Sequence, residues 1–404
     1  MANKDSLLTV RFEALGRETT DVTEWSINSA YTTPTDGFSF HLYDTNRENL
    51  RRLELQPVEL LVDGKSQVLG RIDMTEIGGN GSELECHGRD YLADAVECNV
   101  DPLIKIKDGD TVGNAFLSVL STVGIDTVFD EDDISMRNVR SGINVKARKS
   151  GKAFAKAVLK EFQPKSGEGQ FDFLNRLIAR FGATIQPGPE RSTVVLSKPN
   201  YGQDPVAKIF RSADTTNSAK NNVVSSSATK DFSRFPTFTL FQGWGATQDT
   251  KGTSLSKQWD TYELISAFMG SDSELAQILA DTCLSGRIKP DSGTKAGLNQ
   301  LYRLLSFKDD QARTQEQVEL AALRAIAERF KDTLEYTVTL RGHADELTGA
   351  IWSVDTIIEV EDEICGVFEP LWVAERTLAY SQKDGATATL KAFRPGSFQF
   401  VDPT

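Results

Sequence analysis

The chain has 404 residues, 39% of them hydrophobic, enough for two to four domains with real cores. With 58 acidic against 45 basic residues the net charge is −13, which argues against gripping nucleic acid by its phosphates, a task that needs clustered lysine and arginine. No apolar run approaches the ~18 residues of a membrane helix, and MANKDSLLTVRF holds no secretory apolar core, so neither membrane insertion nor a signal peptide is expected.

Leu8, Val10, Phe12 and Ala14 alternate with Thr9, Arg11 and Glu13, the period of two of a half-buried strand. Gly37–Tyr43 reads as a second strand. Runs at 58–62, 68–75 and 84–87 follow, separated by Asp-Gly-Lys and by Gly-Gly-Asn-Gly at 78–81. Such breaks mark hairpins because their turns need positive φ. Residues 1–88 therefore read as an antiparallel meander.

The period then changes. DGDTVGNAFLSVLSTVGI (108–125) predicts a helix ending at Gly124. FDFLNRLIARFGATI (171–185) places Phe173, Leu174, Leu177, Ile178 and Phe181 on one stripe, with Gly182 where a C-cap glycine belongs. Strands at 184–186 and 193–197 flank a Pro-Gly-Pro-Glu turn, so 89–205 forms a small α+β unit. The Ser/Thr/Asn-rich stretch 212–231 reads equally as a flexible linker or a polar strand pair. Residues 263–333 are mixed, with helices expected at SELAQILADTCL (273–284) and ARTQEQVELAALRAIAERFK (312–331). Leu334, Tyr336, Val338 and Leu340 then alternate with polar residues, as do Ala386, Ala388, Leu390 and Ala392. Residues 334–404 are thus a second β block, and the fold class is a β-rich α+β.

Motifs for chemistry are few. A GxSxG elbow and a Walker GxxxxGK[ST] are absent, and the Gly-Gly-Asn-Gly break sits between strands, where a dinucleotide fingerprint cannot work. SxxK pairs at Ser227/Lys230 and Ser254/Lys257 lack a KTG partner. Cys86, Cys98, Cys283 and Cys365 have no CxxC spacing and read as small buried hydrophobes. The acidic runs DEDD (130–133) and EVEDE (359–363) match no calcium-loop spacing and read as solvated faces. His343, followed by Asp345 and Glu346, could be a base; with no second histidine or nucleophile near it in sequence, it reads as the corner between two strands. The five tryptophans, Trp25, Trp244, Trp259, Trp352 and Trp372, are spread out and read mostly as core. No catalytic, cofactor-binding or metal residue is expected.

Gly342-His343, a polar spacer, Gly349, Trp352 and then Val360–Asp362, followed by LWVAERTLAY (371–380) and GATATLKAFRP (385–395), resembles the C-terminal segment of contractile-tail baseplate hub proteins. That family comprises the Mu-like phage hub, the late-control-D proteins and the base of VgrG spikes. FDFLNRLIARFGATI with TVVLSKPNYG, GRDYLADAV (88–96) and NNVVSSSATKDFSRFPTFTLFQG (221–243) are similar to further segments of it, in the same order. The resemblance covers about half the chain, carries no motif from 244–311, and rests on turn and core residues.

It implies a structural protein without enzymatic activity or cofactor: a homotrimer whose chains each supply two similar antiparallel β-barrels. Six barrels then form a ring joining a sixfold tail tube to a threefold central spike. The implied division is 1–88 as the first part of the N-terminal barrel, 89–205 as an insertion, and 206–262 as the return to that barrel with a linker. Residues 263–333 are then a mixed segment, and 334–404 the C-terminal barrel. Implied partners are the tube or its initiator on one face and a trimeric spike on the other, expected to be a separate polypeptide because the chain stops at Thr404. Other baseplate proteins and a tape-measure protein are further candidates. The implied location is the virion tail or an equivalent injection particle, assembled from chains made in the bacterial cytoplasm. Two other readings stand beside it: a tail-associated cell-wall hydrolase, and a carbohydrate-binding β module.

Overall fold

Leu8, Val10 and Phe12 point inward from β1 (Leu8–Phe12), as their spacing predicts. A 3-10 turn at Glu13–Leu15 ends the strand, so Ala14 falls outside it. The computed structural model describes residues 7–43, 53–78, 83–107, 109–130, 163–178, 183–214, 222–234, 238–243, 255–260, 304–309 and 324–398. They fall into two compact units, Met1–Ser227 with Tyr336–Ala392, and Ala228–Glu335 with Phe393–Thr404.

In the first unit β1 is followed by β2 (Arg17–Thr19), β3 (Val22–Ala30), β4 (Gly37–Tyr43), β5 (Pro57–Val62), β6 (Lys65–Gly78) and β7 (Glu83–Asp90). The turn between β5 and β6 has positive φ at both Asp63 (51°) and Gly64 (76°), the type I′ geometry that matches strand twist. Pairing departs from the expected meander: the order is β3-β4-β7-β6-β5-β1-β2, so β4 bypasses β5 and pairs with β7. Alternation fixes which face of a strand is buried but not its neighbour. Here Phe40 lies opposite Cys86 and Leu42 opposite Leu84, joining two apolar rows.

An insertion follows. Thr111 caps α2 (Val112–Leu120), its hydroxyl oxygen accepting the Asn114 N–H at 3.2 Å, and Gly124 at φ 81° closes the succeeding 3-10 turn. With α1 (Ala93–Glu97) and α3 (Gln170–Ile178) it buries Phe116, Val119, Phe173, Leu174 and Leu177 in one core. A small sheet, β8 (Thr127–Asp130), β10 (Thr193–Ser197) and β9 (Thr184–Pro187), adds Leu196 and Ile185 to that core. The insertion is bolted to the first strands. Arg191 donates to the carbonyls of Gly70 (2.8 Å) and Val58 (2.7 Å), and the Tyr91 hydroxyl to that of Thr193 (2.7 Å). Phe181 and Gly182 lie outside the described residues, as do the 131–133 part of the first acidic run and the 273–284 helix.

β11 (Ala207–Arg211) and β12 (Val223–Thr229) come next, so 223–229 of the Ser/Thr-rich stretch is strand. The unit closes with β16 (Glu335–Arg341), β17 (Ile357–Asp362), β18 (Pro370–Ser381) and β19 (Gly385–Phe393). Their order is β12-β16-β19-β18, β17 pairs with both β18 and β11, and β18 also pairs with β3. The two β blocks thus share one 13-stranded sheet, antiparallel except where β11 runs parallel to β17. Beneath this junction Arg376 is buried, donating to Ser29 Oγ (3.0 Å), Gln67 Oε1 (2.9 Å) and the Trp352 carbonyl (2.8 Å).

The second unit contains a three-stranded sheet with β13 (Phe238–Gly243) between β14 (Leu255–Asp260) and β15 (Leu304–Asp309). A helix over 324–331 buries Ile326, Ala327 and Phe330, and Lys331 lies 5.1 Å from the Phe393 ring centroid. The 312–323 part of its expected length lies outside the described residues.

Candidate functional site

Gly342 leaves β16 at φ 77°, a backbone conformation that glycine adopts without strain, and its N–H donates to the Ala386 carbonyl at 2.8 Å. The turn aims the next side chain inward. His343 is 1% exposed, its ring 4.6 Å from that of Trp25, with Nε2 2.7 Å from the Ala379 carbonyl. Burial holds its pKa below the ordinary histidine value, so the neutral ring donates from Nε2. Asp345 does not reach the ring. Its carboxylate accepts the Thr348 N–H and hydroxyl, both at 2.9 Å, while its carbonyl accepts the Gly349 N–H at 2.8 Å. The Trp352 N–H closes the corner on the His343 carbonyl at 3.0 Å, and Glu346 is exposed on the outside. A base must touch its substrate; this imidazole touches a tryptophan and a carbonyl. The corner reading describes the geometry.

The run EVEDE is split by the pleat. Glu359 and Glu361 face outward and pair with Lys208 of β11, while Asp362 is fully buried. Asp362 accepts from the Ile364 and Cys365 N–H groups (2.9 Å each), the Tyr336 hydroxyl (2.9 Å) and the Ser226 hydroxyl. Burial by itself would raise its pKa, but those donors outweigh it and hold the carboxyl below the ordinary aspartate value. Burial also pushes the Tyr336 phenol up, so the pair is an anion held by a neutral donor. This cluster joins β12, β16 and the β17–β18 turn, and composition gave no sign of it. The signal was parity: in a strand that buries Ile358 and Val360, Asp362 must point the same way.

The other candidates scatter. Ser227 and Lys230 are exposed at the end of β12, and Ser254 and the Lys257 side chain lie outside the described residues. Cys86 is buried, its thiol pushed up to about 12 by burial first, then by Glu54 and Glu85. Cys98, contrary to the expected burial, is exposed; Cys365 is half-buried and Cys283 lies outside the described residues. Trp25, Trp352 and Trp372 are buried, at 4%, 4% and 0% exposure, so none of them offers a sugar-stacking face. Among the described residues no three His, Cys, Asp or Glu side chains converge as a metal site.

No family model and no curated protein matches this sequence. Solved structures do. A tail protein from Neisseria meningitidis MC58 superimposes with a TM-score of 0.68 at 18% identity, over 97% of this chain and 98% of that one. The 43 kDa tail protein of prophage MuSo2 from Shewanella oneidensis gives 0.67 at 15% identity, over 98% and 100%. The fold is that of phage tail proteins. A more distant match, at 0.52 and 9% identity over 98% of this chain and 79% of that one, is an E. coli component of the type VI secretion system. That component is described as structurally similar to T4 bacteriophage tail proteins gp27 and gp5. In this tail-protein fold, the His343 corner and the Asp362 cluster are joints between strands.

Proposed function

We propose that the chain is the structural hub of a phage-tail baseplate or a related injection machine, a homotrimer that adapts a sixfold tube to a threefold spike. The reciprocal, nearly full-length likeness to two tail proteins carries this reading, because it involves the whole arrangement and not a single β module. The strand sets β1–β7 and β11–β12 with β16–β19 would act as quasi-equivalent barrels, six per trimer. Of the expected division, 1–88, 89–205, 263–333 and 334–404 would follow it, with the insertion and the mixed segment outside the ring. Within 206–262, β11 and β12 pair with β17 and β16, and so would belong to the second barrel, not return to the first. The tube would dock on one face and a spike polypeptide on the other, within the virion tail or injection particle. The role is non-enzymatic, consistent with His343 and Asp362 being consumed by joints. Reconstruction of purified particles tests it: three copies in a ring between tube and spike are expected, and one isolated copy per tail would overturn it. A peptidoglycan zymogram separates the hydrolase reading, since a hub alone gives no clearing.

A further inference from the structure

The hairpin between β17 and β18 carries large apolar side chains that the described residues leave uncovered. Ile364 is 55% exposed and Phe368 58%. The backbone that presents them is nonetheless fixed on several sides. Asp362 and Val367 exchange N–H to carbonyl bonds of 2.8 and 3.0 Å, and Asp362 Oδ1 accepts the Ile364 and Cys365 N–H groups. The Glu363 N–H donates to the Arg211 carbonyl at 2.9 Å, while its carboxylate accepts the Ser212 hydroxyl (2.9 Å) and the Ala213 N–H (2.8 Å). From behind, Ser226 and Tyr336 hold Asp362 itself. Exposed apolar groups on a loop fixed in this way lose little conformational freedom when a partner covers them, which is the character of an interface anchor.

The surroundings are acidic. With Asp362 opposite Val367 and Glu359 opposite Pro370, the register places Glu361 opposite Phe368 on the outer face. Glu363 and Glu359 are also exposed, and Lys208 is already engaged by Glu359 and Glu361. We propose that this hairpin is a preformed docking knob for a different polypeptide, one whose surface offers an apolar recess rimmed by lysine and arginine. The same hairpin of a second copy is the poorer occupant, because it would bring Glu359, Glu361 and Glu363 against the same three carboxylates. The inference rests on the hub reading for where the partner is found, in the assembled particle.

The test uses the full chain in particles. A photo-cross-linking amino acid at position 368 should form an adduct with a different polypeptide. The double variant Ile364→Ser/Phe368→Ser should melt like the parent, since both sites are exposed, yet enter particles roughly tenfold less or worse. Full incorporation of the double variant, no adduct, or an adduct only with another copy of this chain overturns the proposal. A parent chain present in particles with an inert knob overturns this inference alone; a parent chain absent from particles overturns the hub reading as well.

Discussion

A histidine ring 1% exposed, tilted against Trp25 and donating to a carbonyl, is costly to protonate in the fold and free to do so once unfolded. Its folded pKa lies below the ordinary 6.5, so its contribution to stability is complete above that pH and is lost as the pH falls through the folded value. Asp362, also lowered, contributes fully above 3.8 and is lost on further acidification. The melting temperature should therefore start to fall just below pH 6.5, and His343→Gln should remove that upper part of the profile while the drop below pH 4 remains. A profile unchanged by His343→Gln would show that the ring is not the group titrating. If the corner is purely structural, the same variant should leave particle function intact. Loss of function with normal assembly would reinstate His343 as a working base. Asp362→Asn should cost about 1.5–3 kcal/mol at neutral pH, since a neutral amide replaces an anion that accepts four bonds. Trp352→Ala should cost about 3–5 kcal/mol by denaturant unfolding.

Between β6 and β7 the sheet depends on two glycines. A Cβ at Gly88 would overlap the Arg71 carbonyl and the Phe38 ring, and one at Gly70 would overlap the Arg89 carbonyl and meet the same ring. Phe38 thus lies across two bare backbones on neighbouring strands, Gly70 opposite Asp90 and Gly88 opposite Ile72. Gly88→Ala should destabilise by at least about 1–3 kcal/mol, and Phe38→Leu should not rescue it, because the carbonyl clash is backbone. A full rescue would place the constraint in the ring alone. The same elements show what the sequence could and could not carry. Thr111, Gly124 and the Asp63-Gly64 turn are local devices whose chemistry is complete within four residues, and they were legible. Strand β3 was not: its inward row runs Trp25, Ile27, Ser29, and the serine is buried only because Arg376 reaches it from β18. The pairing of β4 with β7 is likewise decided by matching apolar rows far apart in the chain. Asp362 stood in plain view within an acidic run, but its role depends on Tyr336 and Ser226, which no spacing links to it. In the candidate site, the His343 corner was readable because glycine, turn and strand period are all local.

As the proposed ring between tube and spike, the protein would have to let its cargo pass without holding it, and charge bears on that at the scale of the assembly. Each lysine or arginine contact to a DNA phosphate releases a counterion and strengthens binding, whereas carboxylates repel the same backbone. At −13 per chain a trimer carries −39, three times that value, and exposed acids occur in both β blocks, among them Glu18, Glu76 and Glu83 in the first and Glu346, Glu359 and Glu363 in the second. If the chain assembles as the proposed hub, its lumen is accordingly expected to be net acidic, with both blocks contributing. The isolated protein should fail to retard DNA in a gel at ~0.15 M salt, where the Debye length is about 8 Å and only close contacts count. Lowering the salt should not rescue binding, since longer-ranged fields then add repulsion. A reconstruction with the lumen lined mainly by lysine and arginine, or DNA retention that grows as salt is removed, would overturn this. The channel would then have to be read as a grip on its cargo or on a negatively charged plug.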